Sequence, residues 1–183
     1  MASVSRWISI VLVASAIAAC DQQPEEAVAT PAGATVAAQV DTDRIKAAAS
    51  EPEMWLTYGG GYDEQRHSAL GKINRDTLPE LGVGWVYEMA KPRGAEATPI
   101  VVDGVMYVSS AWSVVYALDA KTGEELWVYD PKVSGADAAK GCCDVVNRGV
   151  AVHDGKVFIG VFDGRLEALD LSLIHISEPT RPY

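Results

Sequence analysis

A repeat with a period of 51 residues constrains the fold of this chain more than any other feature. The apolar runs on either side of Asp103-Gly104 reappear on either side of Asp154-Gly155, 51 residues later. Asp-Gly between two apolar runs is a strong signal for a β-hairpin, and the segments 101–108 and 152–159 align without a gap. A repeat of this length built from short strands indicates the blades of a β-propeller, because each small sheet must stack on its neighbours to bury both faces.

A turn motif after the first hairpin strengthens this prediction. Residues 117–127 are Ala-Leu-Asp-Ala-Lys-Thr-Gly-Glu-Glu-Leu-Trp, and the first three recur at 168–170 as Ala-Leu-Asp. Asp119 to Gly123 form a turn in which Gly123 is free to adopt positive φ. The following strand carries Trp127 to the interface between blades, where its indole stacks and donates one hydrogen bond. The sequence therefore predicts an all-β fold with about two blades of a β-propeller.

The N-terminus has the pattern of a secretory signal peptide over residues 1–19. One arginine precedes an apolar stretch from Trp7 to Ala19, which is too short for a permanent membrane-spanning helix. The ending Ile-Ala-Ala-Cys also resembles a bacterial lipobox, in which Cys20 becomes the lipidated first residue. The alternative is ordinary cleavage after Ala18, which leaves Cys20 free. We expect lipidation, because an exposed free thiol is a liability in an oxidising compartment.

Residues 20–42 are predicted to be a disordered linker. They are rich in Ala, Thr, Pro, Glu and Gln and contain no aromatic residue and no periodic apolar face, so they cannot bury enough apolar surface to become ordered. The propeller part is predicted over residues 43–170. The formal net charge of −10 argues against nucleic acid as a partner.

Cys142 and Cys143 are adjacent in the run Gly-Cys-Cys-Asp-Val-Val-Asn-Arg-Gly at 141–149. One interpretation is a pair of buried, reduced thiols in a strand. The other is a disulfide between neighbours, which would give a rigid, flat surface against which a planar ligand can lie. The chain has three cysteines, and an oxidising compartment with one cysteine acylated and two paired favours the disulfide.

Residues 171–183 depart from the repeat. The period of 51 residues predicts Thr, Gly and Trp at 173, 174 and 178, but the chain has Leu173, Ile174 and Glu178. The run from Leu171 to Arg181 resembles an in-frame translation of a sequencing adaptor. We therefore expect a non-native tail that does not complete the second blade in the native manner, after natural sequence that ends at Asp170.

These features together resemble the eight-bladed propellers of the alcohol dehydrogenases that depend on pyrroloquinoline quinone (PQQ). The blades of that family carry the same Ala-x-Asp-x-x-Thr-Gly-x-x-x-Trp motif as residues 117–127. The resemblance covers roughly residues 43–170. It includes Trp-Leu-Thr-Tyr-Gly at 55–59, Gln-Arg-His-Ser at 65–68, Arg-Gly-Ala-Glu-Ala-Thr-Pro at 93–99 and the Cys-Cys-Asp-x-Val-Asn-Arg-Gly signature at 142–149.

The resemblance implies a cofactor site formed by Glu96, Cys142, Cys143 and Arg148. In that family a vicinal disulfide lies against one face of the quinone, which is the role implied for Cys142 and Cys143. Glu96 resembles the glutamate that hydrogen-bonds the cofactor. Arg148 resembles the arginine that pairs with its carboxylate and quinone oxygens, a task that suits the planar fork of a guanidinium. Taken alone, Glu96 and Arg148 would be interpreted as surface charges.

The resemblance also implies a periplasmic enzyme that oxidises a primary alcohol to an aldehyde and passes electrons to cytochrome c. Its cofactors would be PQQ and calcium, with haem c if a C-terminal cytochrome domain follows, and a lipid on Cys20 would anchor it to the inner membrane. The calcium ligands and the aspartate that acts as general base are expected downstream of Asp170. Residues 1–183 would then contain no catalytic and no metal-binding residue and would be inactive alone.

Two other functions are compatible with the repeats. A non-catalytic propeller lipoprotein, similar to the scaffold subunit of the outer-membrane β-barrel assembly machine, has similar blades but binds no quinone. A quinoprotein sugar dehydrogenase is the second alternative, and its membrane-bound type generally lacks the vicinal cysteines. The signature with Cys142, Cys143 and Arg148 therefore favours the alcohol dehydrogenase.

Overall fold

Two antiparallel sheets of four strands each form the described part of the chain. The computed structural model describes residues 39–91, residues 93–171 and the backbone of residues 176–180. The predicted signal peptide 1–19, Cys20 and the predicted linker as far as residue 38 lie outside these residues. Within the described ranges, no helix is long and apolar enough to span a bilayer.

The first sheet is a meander in which each strand is antiparallel to the next. Its strands are β1 (Ile100–Val102), β2 (Val105–Ser109), β3 (Val115–Asp119) and β4 (Glu125–Tyr129). Asp103 and Gly104 form the two-residue turn between β1 and β2. Both have positive φ, 48° and 82°, as in the turns whose twist matches that of a β-hairpin.

The second sheet repeats the first, and each of its strands begins and ends 51 residues after its counterpart. Its strands are β5 (Ala151–His153), β6 (Lys156–Gly160), β7 (Leu166–Asp170) and β8 (Ile176–Thr180). Asp154 and Gly155, with φ of 50° and 73°, form the turn that corresponds to Asp103-Gly104. The predicted hairpins and their common register are confirmed, and the sheets have the size of propeller blades.

The backbone of β8 differs from what the sequence predicts for the tail. The sequence predicts that residues 171–183 do not complete the second blade in the native manner, but the backbone of β8 pairs with β7, with Leu166 opposite Thr180 and Leu169 opposite Ile176. That expectation is wrong for the backbone. The physical reason is that the N–H and C=O groups along the open edge of β7 accept any extended segment as a partner. The predicted foreign origin of the tail stays a prediction.

One apolar core contains side chains from both sheets. The largest aromatic residue in it is Trp127, which is 9% exposed, and its ring centroid lies 5.9 Å from that of Tyr107. The predicted burial of Trp127 is confirmed. The main contributors from the second sheet are Val152, Val157, Ile159 and Leu169. Burying each of these side chains contributes about 2 kcal/mol of transfer free energy, so the two blades stabilise each other.

The opposite face of the first sheet is covered by the segment that precedes it. Trp85, Tyr87 and Met89 pack there against a second cluster that includes Tyr116. Tyr87 meets Tyr116 edge-on, with ring centroids 5.6 Å apart, which is a favoured arrangement of two aromatic rings. The same segment then leads to residues 93–98 at the candidate site.

The predicted turn between β3 and β4 is present. The Asp119 carboxylate accepts hydrogen bonds from the N–H groups of Lys121 and Thr122 at 2.9 and 2.7 Å. Gly123 has a φ of 76°, and an added Cβ there would lie 2.6 Å from the ring of Trp85. Both the backbone angle and this close approach favour glycine.

The N-terminal segment contacts both hairpin turns. It contains α1 (Thr42–Lys46), which Asp41 caps by accepting a hydrogen bond from the Arg44 N–H at 2.8 Å. Val40 is fully buried in the core, and its carbonyl accepts a hydrogen bond from the Asp154 N–H at 2.8 Å. The sequence predicts that ordered structure begins at residue 43, but in the structure it begins earlier, at Val40. The reason is that Val40 packs into the apolar core, and the residues next to it in the sequence do not indicate this contact.

Loops and short 3₁₀ helices make up the rest of the described chain. The loop that follows Tyr62 is long and mostly exposed, and several apolar side chains in it face solvent, among them Leu70, Ile73 and Val83. The 3₁₀ helices are Ala48–Ser50, Leu78–Glu80, Ala111–Ser113 and Gly135–Lys140.

Candidate functional site

Glu96 and Arg148, two of the four predicted site residues, lie side by side. The backbones that carry them run parallel, with an isolated β-bridge between Ala95 and Asn147. Because each residue directly follows a member of this bridge, the pairing brings the two side chains together. Arg148 Nη2 lies 3.3 Å from Glu96 Oε2, and the side chains are 66% and 47% exposed. The structure therefore presents a guanidinium and a carboxylate on an open surface.

Cys142 and Cys143 are both exposed in the loop that leads to Arg148. The interpretation as buried thiols in a strand is therefore wrong. The residues are two thiols whose sulfur atoms lie 2.9 Å apart, whereas a disulfide bond is about 2.05 Å long. The predicted disulfide stays a prediction.

The neighbouring thiol and both charged site residues influence the titration of Cys143. The hydrogen bond with the Cys142 thiol raises the pKa of Cys143 and is the largest cause of the shift, while the charge of Arg148 opposes it and that of Glu96 adds to it.

Contacts of the residues that directly follow the cysteines anchor their loop. Cys143 and Asp144 have left-handed backbone conformations, with φ of 67° and 68°, which turn the chain sharply. Arg93 Nε donates to the Asp144 carboxylate at 2.7 Å. Val145 is 1% exposed, and its carbonyl accepts a hydrogen bond from the Trp112 N–H at 2.9 Å. The loop is therefore fixed on its inner side and open at the cysteines.

Asn147 holds the next part of the loop, and sequence reasoning missed it. Its Oδ1 accepts hydrogen bonds from Ser109 Oγ at 2.7 Å and from the Gly149 N–H at 3.0 Å. Its Nδ2 donates to the Gly160 carbonyl at 2.9 Å and to Ser113 Oγ at 3.3 Å. Ser109 ends β2 and Gly160 ends β6, so a single amide joins both sheets.

A cavity of about 290 Å³ opens next to Arg148. Tyr58 is on its wall, and the guanidinium of Arg66 lies over the Tyr58 ring, 4.2 Å from its centroid. The Arg66 guanidinium is the largest cause of a lowered pKa at Tyr58, and the charge of Arg148 adds to it. The cavity is lined by Tyr58, Thr98, Ile100, Asn147, Arg148, Gly149, Val150 and Gly160.

Tyr58, Arg66 and Asn147 could have been found in the sequence only through the motifs that carry the resemblance. Tyr58 and Arg66 stand in the segments at 55–59 and 65–68, and Asn147 directly precedes Arg148 in the signature. No local pattern distinguishes them from ordinary polar residues. Asn147 in addition contacts Ser109 and Ser113, which are far from it in sequence.

This donor set suits a planar, anionic molecule such as the quinone implied by the resemblance. A guanidinium binds carboxylates through parallel hydrogen bonds, and polarizable sulfur makes favourable contacts with aromatic rings. Arg148 supplies the first group, and Cys142 and Cys143 supply the second. Among the described residues, no three His, Cys, Asp or Glu side chains come together in a way that could hold a metal ion.

The sequence of the chain is similar to that of a known family of propeller dehydrogenases. Residues 55–172 match the family model described as the β-propeller domain of glucose/ethanol/alcohol dehydrogenases. The quinohemoprotein alcohol dehydrogenase of Comamonas testosteroni is 48% identical over 164 residues, which are 90% of this chain and 22% of that protein. A protein of Thauera butanivorans named 1-butanol dehydrogenase (cytochrome c) is 57% identical over 118 residues, 63% of this chain and 17% of that protein.

A solved structure has the same fold over most of the chain. The quinohemoprotein alcohol dehydrogenase ADHIIG from Pseudomonas putida HK5 superposes with a TM-score of 0.77 and 49% sequence identity, over 80% of this chain and 22% of that structure. The chain thus spans about a fifth of the length of the relatives that it matches.

Proposed function

The chain belongs to the family of PQQ-dependent alcohol dehydrogenases, and we propose that it is part of a longer quinoprotein that oxidises primary alcohols to aldehydes. The observation that carries this proposal is the ion pair of Glu96 and Arg148, together with the exposed cysteines Cys142 and Cys143 in the loop that leads to Arg148. These four residues are the proposed cofactor-binding residues. The non-catalytic scaffold protein is not favoured, because it would need none of them.

Arg148 and Glu96 have complementary tasks at the proposed site. Arg148 presents several N–H donors in a rigid plane and binds a carboxylate and a neighbouring oxygen of the quinone. Glu96 accepts a hydrogen bond from the quinone, and its ion pair with Arg148 holds the guanidinium in place before the ligand arrives. Such preorganisation lowers the entropic cost of binding. When bound, PQQ supplies the acceptor for the hydride that leaves the alcohol.

Cys142 and Cys143 are proposed to form a disulfide that lies against one face of the quinone ring. As the S–S bond forms, the two thiols give up two protons and two electrons. A disulfide-exchange partner such as glutathione disulfide takes up both, and its own S–S bond breaks to give two thiols. Their position in an exposed loop supports this step, because an oxidant can reach both sulfur atoms.

The other components of the proposed enzyme are assigned to the protein outside this chain. Membership of the family implies a metal ion together with PQQ, and we propose that it is calcium, which polarises a carbonyl as a Lewis acid. The proposed electron acceptor is cytochrome c, with a haem c domain as an additional carrier. The relative named 1-butanol dehydrogenase (cytochrome c) supports a small alcohol as substrate and a cytochrome as partner.

The proposed location is the periplasm, with Cys20 acylated and inserted in the inner membrane. The supporting observation is the sequence of residues 1–20, a short apolar stretch that ends in Ile-Ala-Ala-Cys. Several acyl chains on one residue hold a protein at a membrane firmly, whereas one chain gives only marginal binding.

The experiment that tests the proposed function measures PQQ affinity and dye-linked oxidation of a primary alcohol. It uses the complete enzyme, with calcium present, and compares wild type with Arg148→Leu. We expect the substitution to weaken PQQ binding by about tenfold or more, which corresponds to at least about 1.4 kcal/mol. Arg75→Leu, which removes the same charge from an exposed loop, is the matched control. Equal PQQ affinity in the two variants would contradict the assigned role of Arg148.

A further inference from the structure

We infer that Asn147 is a positioning residue that fixes Arg148 for the cofactor by tying its backbone to both sheets. This inference rests on the proposed function, since the ligand that Arg148 meets is the proposed quinone. Asn147 acts through its neighbour Arg148, and four hydrogen bonds of its side chain to other parts of the protein carry the assignment.

The first step is that the Asn147 amide is fully used. A carboxamide offers two acceptor sites on its oxygen and two donor hydrogens on its nitrogen. Oδ1 accepts from Ser109 Oγ and from the Gly149 N–H, and Nδ2 donates to Ser113 Oγ and to the Gly160 carbonyl. Aspartate lacks the donors and serine lacks the reach, so neither replaces the whole set.

The second step is that the partners of Asn147 are themselves fixed. Ser109 and Ser113 are completely buried, and Ser113 Oγ also accepts a hydrogen bond from the Phe162 N–H at 3.0 Å. Gly160 is the last residue of β6. The amide is therefore attached to strand ends and to a buried turn, which move less than surface loops.

The third step is that one of the four hydrogen bonds joins the two residues on either side of Arg148. The bond from the Gly149 N–H to Asn147 Oδ1 links residues two positions apart, as in an Asx-turn, and so restricts the backbone of the residue between them. The Arg148 side chain is 66% exposed, so little packing restrains it. The position of its backbone therefore determines where the guanidinium can reach.

The fourth step concerns Glu96. The bridge between Ala95 and Asn147 brings the backbone of the Glu96 segment to the same anchored point. Asn147 is thus the place where the second sheet, the first sheet and both charged site residues meet. Displacing a binding or reacting group by about 1 Å costs on the order of a hundredfold in rate. A shift of the backbone at Asn147 should therefore measurably weaken cofactor binding by Arg148 and Glu96.

The test is a double-mutant cycle in the complete enzyme, with the dissociation constant of PQQ as the measured quantity. Asn147→Ala is made in the wild type and in an Arg148→Leu background. We expect a loss of about tenfold in PQQ affinity in the wild type and nearly none in the Arg148→Leu background, because a residue that acts through Arg148 has no effect without it. Asn147→Asp, which keeps the acceptor and hence the Asx-turn, should lose less than Asn147→Ala.

Tyr129→Phe is the matched control for general loosening of the two sheets. The Tyr129 hydroxyl donates to the buried Glu167 carboxylate and so joins β4 to β7, two strands that do not carry the cysteines or Arg148. We expect this variant to have a lower melting temperature and unchanged PQQ affinity. An equal loss for Asn147→Ala in both backgrounds, or a matching loss in Tyr129→Phe, would overturn the positioning role.

A second measurement uses the present chain and needs no cofactor. Hydrogen exchange at the Gly149 N–H should be slow in the wild type, intermediate in Asn147→Asp and fast in Asn147→Ala, since only the last lacks the acceptor. Unchanged protection in Asn147→Ala would overturn the inference even if the enzyme variant failed to fold. Failure of wild-type enzyme to bind PQQ, with the Gly149 protection intact, would instead contradict the proposed function and leave Arg148 with no cofactor to be positioned for.

Discussion

Arg44 and Asp103 form a two-point ion pair between α1 and the turn that joins β1 to β2. Nη1 lies 3.1 Å from Oδ2, and Nη2 lies 2.6 Å from Oδ1. Arg44 also contacts Glu51, with Nη2 2.7 Å from Oε2. Because Val40 in the same segment binds the equivalent turn of the second blade, a short stretch of chain connects the outer turns of both sheets.

We expect Arg44→Ala to lower the free energy of unfolding by about 1 kcal/mol, since paired charge-assisted hydrogen bonds are stronger than ordinary surface pairs. Urea denaturation measures the change. Lys46→Ala is the control, because Lys46 and Asp43 are 64% and 91% exposed and 3.4 Å apart, and such pairs contribute little. Equal effects of the two substitutions would mean that the Arg44 pair contributes no more than an exposed one.

The same pair predicts a pH dependence of stability. The hydrogen bonds from Arg44 lower the pKa of Asp103, although burial alone would raise it. The stabilisation is therefore fully present above the ordinary pKa of an aspartate and is lost as the pH falls through the lowered value. The difference in unfolding free energy between wild type and Arg44→Ala should shrink over that acidic range. A constant difference down to the acid-unfolded state would contradict the lowered pKa.

Gly123 should be more sensitive to substitution than a glycine with a similar backbone angle in open space. Gly123 has a φ of 76° and an added Cβ would meet Trp85 at 2.6 Å, whereas Gly104 has a φ of 82° and nothing within 4 Å. We expect Gly104→Ala to cost about 1 kcal/mol from the backbone angle alone and Gly123→Ala clearly more, because Trp85 must move. Melting temperatures of the two variants measure the difference. Equal values would show that the Trp85 side chain moves aside without a cost in stability.

Much of the blade architecture could be predicted from the sequence because the hairpin signals are local. Asp103-Gly104 and Asp154-Gly155 fix two turns without help from distant residues, and the common period then aligns the other strands. Glu96 and Arg148 could be paired only through the resemblance. Their contact depends on the parallel bridge between two segments far apart in sequence, and no local pattern predicts such a bridge.

The differences between sequence and structure have the same origin. The order at Val40 and the pairing of β8 both depend on partners supplied by the rest of the fold. Asn147 is the clearest case, because its four hydrogen bonds reach β2, the turn before β3, its own loop and β6. Its residue type alone is typical of many exposed turns.

The pair of Tyr58 and Arg66 predicts a spectroscopic signal. The guanidinium of Arg66, which lies over the Tyr58 ring, lowers the pKa of Tyr58, so Arg66→Leu should raise it towards the ordinary value of a tyrosine. A pH titration of tyrosinate absorbance measures the change, and Tyr58→Phe identifies the contribution of Tyr58. Arg75→Leu removes the same charge from an exposed loop and should leave the titration unchanged. An identical titration curve for Arg66→Leu and wild type would contradict the prediction that Arg66 lowers the pKa of the Tyr58 hydroxyl.

Acylation of Cys20 is the prediction that tests whether the protein is anchored to a membrane by a lipid. Expression of the precursor in a bacterium with labelled palmitate should give a labelled product in the membrane fraction. Cys20→Ala should abolish the label, and Cys142→Ala should not, because only the lipobox cysteine is modified. Absence of label in the wild type would favour cleavage by an ordinary signal peptidase and a free Cys20.

Oxidation of Cys142 and Cys143 is expected to change the site without changing the fold. Both thiols are exposed in a loop outside the two sheets, so a glutathione redox buffer should convert them to an intramolecular disulfide. In a Cys20→Ala background the product should be monomeric, lose both free thiols and keep its melting temperature within a few degrees.

In the complete enzyme, alcohol oxidation should become about tenfold to a hundredfold slower after reduction of the disulfide, or after Cys142→Ser combined with Cys143→Ser, because the quinone loses one rigid face. Glu96 and Arg148 should stay in place. Arg75→Leu, a substitution in the exposed loop that follows Tyr62, should have no effect. Equal activity of the oxidised enzyme, the reduced enzyme and the double serine variant would remove the sulfur pair from the proposed site and leave Glu96 and Arg148 as its only support.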